Sequence, residues 1–379
     1  MSSFFFITEI AIFITGIAYF LLILWFYLGW RKLRTTQHLK TFNPVTVSVV
    51  VAVRNEEGNI EKLIRDLLTQ DFDNEMFEIL IINDHSEDYT QRIVKTLAES
   101  EERLQLFTLP DNLSGKKAAV DYGIKNASGE MILQTDGDCR VPEKWISSMV
   151  KSYLDSSQTF VSGAVRMAGP NTVFAWLQEL EFFSLMAAGA GAIGTGHPLM
   201  CNGANLAFSR KKYLKMNDAL KMNLASGDDV FLMFAFHRNY PGRIVFNNSR
   251  ESTVITKTTD TLKSFLFQRK RWVSKSKAYR DPYLIGTALI VLLLNTGLLI
   301  LLLAALVTDM YFLKIFIMVF LVKSLVDIVL LNAVTAFYGR QLLLYLFPVA
   351  QVLYIFYVTV TAITGIWGTF TWKGRNYMV

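Results

Sequence analysis

Two carboxylates one residue apart, Asp136 and Asp138, stand out in the segment LQTDGDC. They follow a short apolar stretch, and carboxylates at the end of a buried strand are costly unless a positive group meets them. The one-residue spacing places both side chains on the same side of an extended chain, so they can act together. Such oxygen ligands suit a hard divalent cation. The alternative is a solvated turn whose acids cap the helix that follows.

Two further polar clusters follow apolar runs earlier in the chain, RNEE at 54–57 and NDHSED at 83–88. From Val45 onward, buried-strand runs alternate with segments of helical apolar spacing, which favours a mostly parallel, doubly wound α/β sheet. Ligands of such sheets bind beyond the carboxyl ends of the strands. Because all three polar clusters fall at predicted strand ends, we expect them to form one binding site.

The composition indicates a domain tied to a membrane. Hydrophobic residues make up 52% of the 379 residues, more than an ordinary soluble enzyme has, while 18% are charged. The net charge of +6 is modest, and the basic residues cluster beside apolar runs, which favours a membrane surface over nucleic acid. Cys139 and Cys201 lack CxxC or histidine neighbours, so we expect reduced thiols rather than a zinc module or a disulfide scaffold.

Four apolar segments are long enough to cross a bilayer, at about 10–30, 283–307, 311–337 and 342–370. The basic RKLR that follows the first segment predicts a cytoplasmic middle of the chain, with the amino terminus outside. The mildly basic ending WKGRNYMV fits poorly with a carboxy terminus outside. The last segment is therefore either a crossing or a re-entrant or interfacial segment.

Two details of the apolar segments each have two interpretations. Lys323 and Asp327 lie one helical turn apart, where they form either a self-satisfied ion pair or the polar lining of a substrate path. The segment GAGAIG at 189–194 has the GxGxxG spelling of a dinucleotide loop, but a helix-like run rather than a strand precedes it. We predict that this segment packs its small residues near the membrane or the acceptor entrance.

Five blocks, in this order, resemble the membrane-integrated branch of the family 2 glycosyltransferases. These blocks are VSVVVAVRNEE, IINDHSED, TDGDC, SGDDVFL and QRKRW, the last three resembling the DxD, catalytic-base and QxxRW motifs. The resemblance covers about residues 45–275 and the flanking apolar segments. It implies a GT-A fold, in which the doubly wound sheet binds a nucleotide sugar, with transmembrane helices at both ends.

The resemblance assigns the donor-side residues. Asp138 is the expected metal ligand, with Asp136 on the ribose or on the metal and its water, and Mg²⁺ or Mn²⁺ as cofactor. Asp84 is expected to recognise the base. Glu56 is expected to seat uracil or ribose, or else to favour the dipole in the first turn of the next helix. Lys116 resembles the basic residue that opens the third helix, and a solvated lysine is the alternative.

The last two blocks supply the expected catalytic groups. The usual Glu-Asp pair is here Asp228 and Asp229, of which Asp229 is the expected general base of a single inverting displacement, or else a helix N-cap. Adjacent carboxylates are also expected to raise one another's pKa. Arg271 would bind the diphosphate. The expected acceptor contacts are Trp272, Gln268, Asn202 and Gly203. A membrane anchor accounts equally well for Lys275, Lys277 and Tyr279.

These assignments divide the chain into four parts. They are an N-terminal transmembrane helix with its basic flank (1–34), a cytoplasmic GT-A domain (45–260), an amphipathic interfacial helix with QxxRW (261–282) and about three transmembrane helices (283–379). The predicted function is transfer of a hexose or N-acetylhexosamine from a nucleotide sugar to a lipid or lipid-linked acceptor, and the family resemblance implies a UDP-linked donor. The predicted place is the cytoplasmic face of a membrane, by default a bacterial inner membrane.

Three other functions compete with this prediction. A processive polysaccharide synthase would extrude its polymer, but only about four spans are visible, and VSKSKAY follows QRKRW where such synthases often have a glycine. A membrane module that only binds nucleotide would have no use for the Asp229 block. A nucleotidyltransferase would need a glycine-rich phosphate loop near the first strand, and AVRNEEGN does not supply one.

Overall fold

A computed structural model describes residues 2–33, 45–155, 158–222, 227–366, 369–372 and 375–378. Arg34 of the basic flank and Ser226 of the SGDDVFL block lie outside the described residues.

A seven-stranded sheet with strand order β3-β2-β1-β4-β7-β5-β8 forms the centre of the soluble part. The described residues form the strands β1 (Val47–Val53), β2 (Phe77–Asn83), β3 (Leu104–Thr108), β4 (Met131–Asp136), β5 (Phe160–Gly163), β6 (Val165–Ala168), β7 (Leu206–Ser209), β8 (Ile244–Asn247), β9 (Val254–Lys257), β10 (Thr369–Trp372) and β11 (Arg375–Met378). Of these, β6 pairs with β9 and β10 pairs with β11 in two separate two-stranded sheets. Strands β3, β2, β1 and β4 are parallel, and β7 pairs antiparallel with β4 and β5. The predicted mostly parallel α/β sheet is confirmed.

Helices cover both faces of this sheet, and the apolar helices of the C-terminal part pack on one another beside it. The helices of the described residues are α1 (Ser2–Lys32), α2 (Ile60–Leu68), α3 (Thr90–Ala98), α4 (Lys116–Asn126), α5 (Trp145–Leu154), α6 (Val173–Gly194), α7 (Arg210–Tyr213), α8 (Asp228–Asn239), α9 (Leu262–Ser274), α10 (Pro282–Val307), α11 (Tyr311–Phe337) and α12 (Phe347–Ile366). Along β1, Val49 and Val51 join the core that contains Leu63 of α2, whereas Val50 joins the core that contains Ala119 of α4. Because both faces of β1 are covered, its sequence is continuously apolar rather than alternating.

Four helical segments are long and apolar enough to cross a membrane, at Glu9–Lys32, Pro282–Val307, Tyr311–Phe337 and Gln341–Gly365. They confirm the prediction of apolar helices at both ends of the α/β domain. The last one differs in detail, since it starts as a 3₁₀ turn at Gln341–Leu346 and its α-helix stops at Ile366 instead of reaching Phe370. Phe370 lies in β10, which pairs with β11 in a hairpin, and alternating Thr and aromatic residues favour such strands.

The last apolar segment begins and ends beside the same pair of helices. Arg340, just before it, pairs with Glu179 of α6 at 2.9 Å. Near its end, Gly365 packs against Val273 of α9. Both ends of the segment therefore pack on other helices of the protein, and the crossing and the re-entrant alternatives both stay predictions.

The GAGAIG segment lies in α6 and packs against the membrane helix α1. A Cβ on Gly191 would overlap the backbone of Phe26, and one on Gly29 would overlap the carbonyl of Gly191. Gly194 lies equally close to the backbone of Gly29. Small residues let the two helix backbones approach in this way, as they do between helices in membranes.

Replacing Gly191 by leucine is therefore expected to separate α6 from α1 and to lower the stability of the chain by about 1–3 kcal/mol. The measurement is thermal unfolding of the purified chain in detergent. Gly286 of α10 has open space where its Cβ would stand, so Gly286→Leu is the matched control. Equal unfolding temperatures for the two variants would contradict the close α1–α6 contact.

Candidate active site

Lys116 joins the two acidic blocks at the carboxyl edge of the sheet. It opens α4, while Asp136 ends β4 and Asp228 opens α8. The Lys116 Nζ lies 2.6 Å from Asp136 Oδ1 and 3.3 Å from Asp228 Oδ2. The solvated-lysine alternative is therefore wrong, and the strand-end and helix-start carboxylates form one cluster.

Three donors fix the carboxylate of Asp229. The Val230 N–H donates to Oδ1 at 2.8 Å, the Gly203 N–H donates to Oδ2 at 3.2 Å, and the Lys275 Nζ lies 3.3 Å from Oδ1. The helix begins at Asp228 and follows Gly227, which has a φ of 86°. Asp229 thus lies in the first turn of α8, where a carboxylate complements the helix dipole, and the N-cap alternative is wrong.

The cations of the cluster decide the charge state of Asp228. Burial alone would raise the pKa of Asp228, but Lys116 and Lys275 outweigh burial, and the pKa is lowered. The expectation that adjacent carboxylates raise one another's pKa is therefore wrong for Asp228. At Asp136 burial outweighs the Lys116 charge, with Asp138 adding to it, so the pKa of Asp136 is raised.

Asp136 and Asp138 are suited to a divalent metal ion only together with other ligands. Both are half-buried at the end of β4, and Asp138 Oδ1 lies 3.7 Å from the Cys139 Sγ. Among the described residues, no group of three or more His, Cys, Asp or Glu side chains gathers around one point. Two carboxylates fit Mg²⁺ or Mn²⁺ in sites where substrate phosphates and water complete the shell.

Asp84 and Glu56 follow the first two strands and line the same cavity as the aspartates. Asp84 is buried, its Oδ2 accepts a hydrogen bond from the Gly115 N–H at 3.1 Å, and its Oδ1 lies 3.2 Å from His85 Nδ1. Since Gly115 precedes Lys116, Asp84 also fixes the start of α4. Glu56 accepts a hydrogen bond from the Asn59 side chain at 2.9 Å. Helix α2 begins only at Ile60, so the first-turn alternative for Glu56 is wrong.

Helix α9 brings the QRKRW block to this cavity. Burial lowers the pKa of the Arg271 guanidinium. Four nearby carboxylates raise that pKa in opposition to burial, those of Asp136, Asp228, Asp229 and Asp138. Arg271 therefore lies close to the acidic cluster, and its role as a diphosphate ligand stays a prediction.

The predicted acceptor residues are partly engaged by the protein itself. The Trp272 ring stacks on the Arg269 guanidinium at 4.2 Å and lies 6.2 Å from the Phe182 ring, which leaves less of the ring for an acceptor. Gln268 accepts a hydrogen bond from Arg269. In the loop before β7, the Asn202 side chain accepts a hydrogen bond from the Ala204 N–H at 3.0 Å. A Cβ on Gly203, the next residue, would lie 3.4 Å from the Lys116 Nζ.

Sequence reasoning missed three residues that support the site. Gln134 donates a hydrogen bond to the Gly203 carbonyl at 3.2 Å, and it lies two residues before Asp136, a period-two signal. Lys275, four residues after Arg271, pairs with Asp229 rather than serving only in a membrane anchor. The third residue is Glu181, and the signal that could have found it is an acid within a largely apolar helix.

Glu181 of α6 holds α9 in place. Its carboxylate pairs with the fully buried Arg269 guanidinium and accepts a hydrogen bond from the Tyr357 hydroxyl of α12 at 3.1 Å. The guanidinium also lies 4.4 Å from the Phe265 ring. One buried ion pair thus joins α6, α9 and α12.

A single cavity of about 1230 Å³ extends from the acidic cluster to the apolar helices. Its polar end contains the aspartates, Lys116 and Arg271. Its apolar end lies between α10 and α12 and is lined by residues such as Leu284, Leu292 and Val358. A ligand with a polar head and an apolar tail fits this division.

The Lys323–Asp327 pair is satisfied and lies beside this cavity. Lys323 Nζ donates to Asp327 Oδ2 at 2.8 Å, and Gln351 and Tyr19 donate to the same carboxylate at 2.9 Å and 2.8 Å. The ion-pair interpretation is confirmed, and the network joins α1, α11 and α12. Asp327 and Gln351 also line the cavity, which leaves the path interpretation as a prediction.

Comparisons with known proteins identify the domain. Residues 48–216 match the Glycosyl transferase family 2 model, a segment that includes TDGDC and ends before SGDDVFL. The chain is 32% identical over 138 residues to a dolichyl-phosphate beta-glucosyltransferase from Trichomonas vaginalis (32% of this chain, 42% of the relative). It is also 32% identical over 105 residues to a beta-monoglucosyldiacylglycerol synthase from Trichormus variabilis (27% and 22%). These matches span less than half the length of the curated relatives.

The fold is similar to that of a solved mannosyltransferase from Pyrobaculum calidifontis, which was determined with GDP-mannose and Mn²⁺. The TM-score is 0.63 at 18% identity, covering 94% of this chain and 99% of that one. The similarity extends beyond the matched domain into the apolar helices, and it confirms the GT-A fold.

Proposed function

We propose that this chain, whose residues 48–216 match the Glycosyl transferase family 2 model, is a glycosyltransferase that transfers a hexose or N-acetylhexosamine from a nucleotide sugar to a lipid acceptor, with inversion. One observation carries the proposal: the cavity that holds the acidic cluster continues between apolar helices. A UDP-linked donor is our preference, and the basic flank after α1 supports a cytoplasmic catalytic face, by default at a bacterial inner membrane.

Donor binding falls to the residues at the strand ends. Asp136 and Asp138 would hold the divalent ion, which supplies charge neutralisation for the departing diphosphate. Arg271 presents a guanidinium fork that suits phosphate oxygens. Lys116 links Asp136 to Asp228, so it both positions the carboxylates and adds positive charge at the same place.

Asp229 is the proposed general base. Its carboxylate takes the proton of the acceptor hydroxyl as that oxygen attacks the anomeric carbon. The new carbon–oxygen bond forms while the bond to the diphosphate breaks, and the electron pair leaves with the diphosphate. The Gly203 N–H and Lys275 orient the carboxylate.

The acceptor would enter from the apolar end. Two relatives are named for lipid products or lipid-linked substrates, which supports a lipid acceptor for this chain. A processive synthase is the second candidate, because Asp327 and Gln351 place polar groups along the cavity wall.

The test compares the wild-type chain with Asp229→Asn in membranes given labelled UDP- and GDP-sugars and Mg²⁺ or Mn²⁺. General-base removal is expected to slow transfer by about 10²- to 10⁴-fold. Label that moves into the organic phase only with wild type supports the lipid enzyme. A large glycosidase-sensitive polymer supports the synthase. Equal transfer by the two chains would contradict the assigned base.

A further inference from the structure

We propose that the acceptor is an uncharged lipid alcohol and not a lipid phosphate. This inference rests on the proposed glycosyl transfer and narrows its substrate class. It is drawn from the charges that line the cavity, from the base beside the cavity and from the apolar wall.

Acidic side chains outnumber basic ones along the cavity, and the basic ones all interact with other groups of the protein. Lys116 is held by Asp136 and Asp228, and Lys275 is held by Asp229. A donor diphosphate with its divalent ion adds no net positive charge for a second anion.

The remaining cations of the wall are also directed at the protein. Arg269 pairs with Glu181, and Arg54 donates to the carbonyls of Asp84 and His85 and to Glu87. Lys117 donates to the Lys221 carbonyl at 2.9 Å. Arg271 lies close to the carboxylates of the cluster and is the proposed ligand of the donor diphosphate. A phosphate on the acceptor would therefore lie among carboxylates, where like charges repel.

The presence of a general base also favours an alcohol as the acceptor. A phosphate monoester is already ionised near neutral pH and attacks without losing a proton. An alcohol must lose its proton as it attacks, and Asp229 is placed and held to receive it.

The apolar end of the cavity fits the chains of such a lipid. Leu284 and Leu292 of α10 and Val358 and Ala362 of α12 are among the residues that line it. The two threonines of α12 in this stretch both donate to backbone carbonyls of their own helix, Thr359 to Ile355 at 3.0 Å and Thr361 to Tyr357 at 2.7 Å. This part of the wall therefore offers contact for hydrocarbon rather than for a charged group.

In the experiment, the full chain in detergent micelles is given matched pairs of lipids that differ only by a phosphate. The pairs are dioleoylglycerol with dioleoyl phosphatidic acid, and a polyprenol with its polyprenyl phosphate, each with the labelled donor panel and Mn²⁺. We expect transfer to the alcohol of at least one pair, at least about tenfold faster than to its phosphate. The product should survive mild acid, which cleaves a glycosyl phosphate, and Asp229→Asn should lose the transfer.

Three results obtained with labelled lipid would overturn the inference, and a fourth result without labelled lipid would do the same. The first three are faster transfer to the phosphate member, an acid-labile product, and transfer that Asp229→Asn leaves unchanged. Donor consumed without label on either alcohol also overturns the inference, while glycosyl transfer itself stands. If the donor is not consumed under any condition, whether by transfer to a lipid or by hydrolysis, the result would instead contradict the proposed function. Thermal unfolding of Asp229→Asn confirms that the variant is folded.

Discussion

Replacing Asp138 by asparagine is expected to lower the rate of sugar transfer by about 10²- to 10³-fold or more, while the protein stays folded and inserted in the membrane. The carboxylate lies at the end of β4, half-buried beside Asp136, and the described residues gather no third acidic or imidazole ligand. A divalent ion at this edge would therefore lose one of only two charged protein ligands. Asparagine keeps the shape and one oxygen, so the loss reports on charge.

The measurement is the transfer rate over a range of Mn²⁺ and Mg²⁺ concentrations, together with thermal unfolding. Asp138→Asn should need far more metal for any residual activity. Glu75→Gln is the matched control, because Glu75 is an exposed acid outside the site whose neutralisation should change neither quantity. Retained activity with the wild-type metal dependence would exclude Asp138 as a metal ligand.

Local patterns were sufficient to predict much of this site. Asp136 and Asp138 were found because side chains alternate along a strand, whereas Asp229 and Arg271 were assigned through the resemblance of the SGDDVFL and QRKRW blocks to a known family. The membrane helices α10 and α11 were predicted from length and apolar composition alone, and their bounds agree with the structure.

The features that the sequence did not predict depend on contacts between distant parts of the chain. Lys116 is twenty residues from Asp136 along the chain, and its charge at Asp228 reversed the expected pKa shift. Hydropathy gave the length of the last apolar segment but not its path, which is set by contacts such as Gly365 with Val273. Such pairings leave no periodic signal in one sequence.

The second large effect is expected at Glu181, whose partner Arg269 lies on another helix. Glu181→Gln would leave the buried guanidinium without its counter-charge, and removing one partner of a buried ion pair costs about 3–5 kcal/mol. Because α9 also carries Arg271 and Trp272, we expect the variant to lose transfer activity as well as stability. Glutamine retains the volume and a hydrogen-bonding oxygen, so the change isolates the charge.

A second substitution separates the charge from the packing. In Glu181→Gln with Arg269→Met, no charge is left buried, so stability should return most of the way while Trp272 loses the guanidinium that covers its ring. The exposed pair of Lys144 and Glu251 is the control, since Glu251→Gln should change stability by less than about 1 kcal/mol. Thermal unfolding and transfer rates of the four chains give both quantities. If Glu181→Gln unfolds no earlier than Glu251→Gln, the ion pair does not hold α9 against α6, and the position of Arg271 must depend on the contacts of α9 with α12 instead.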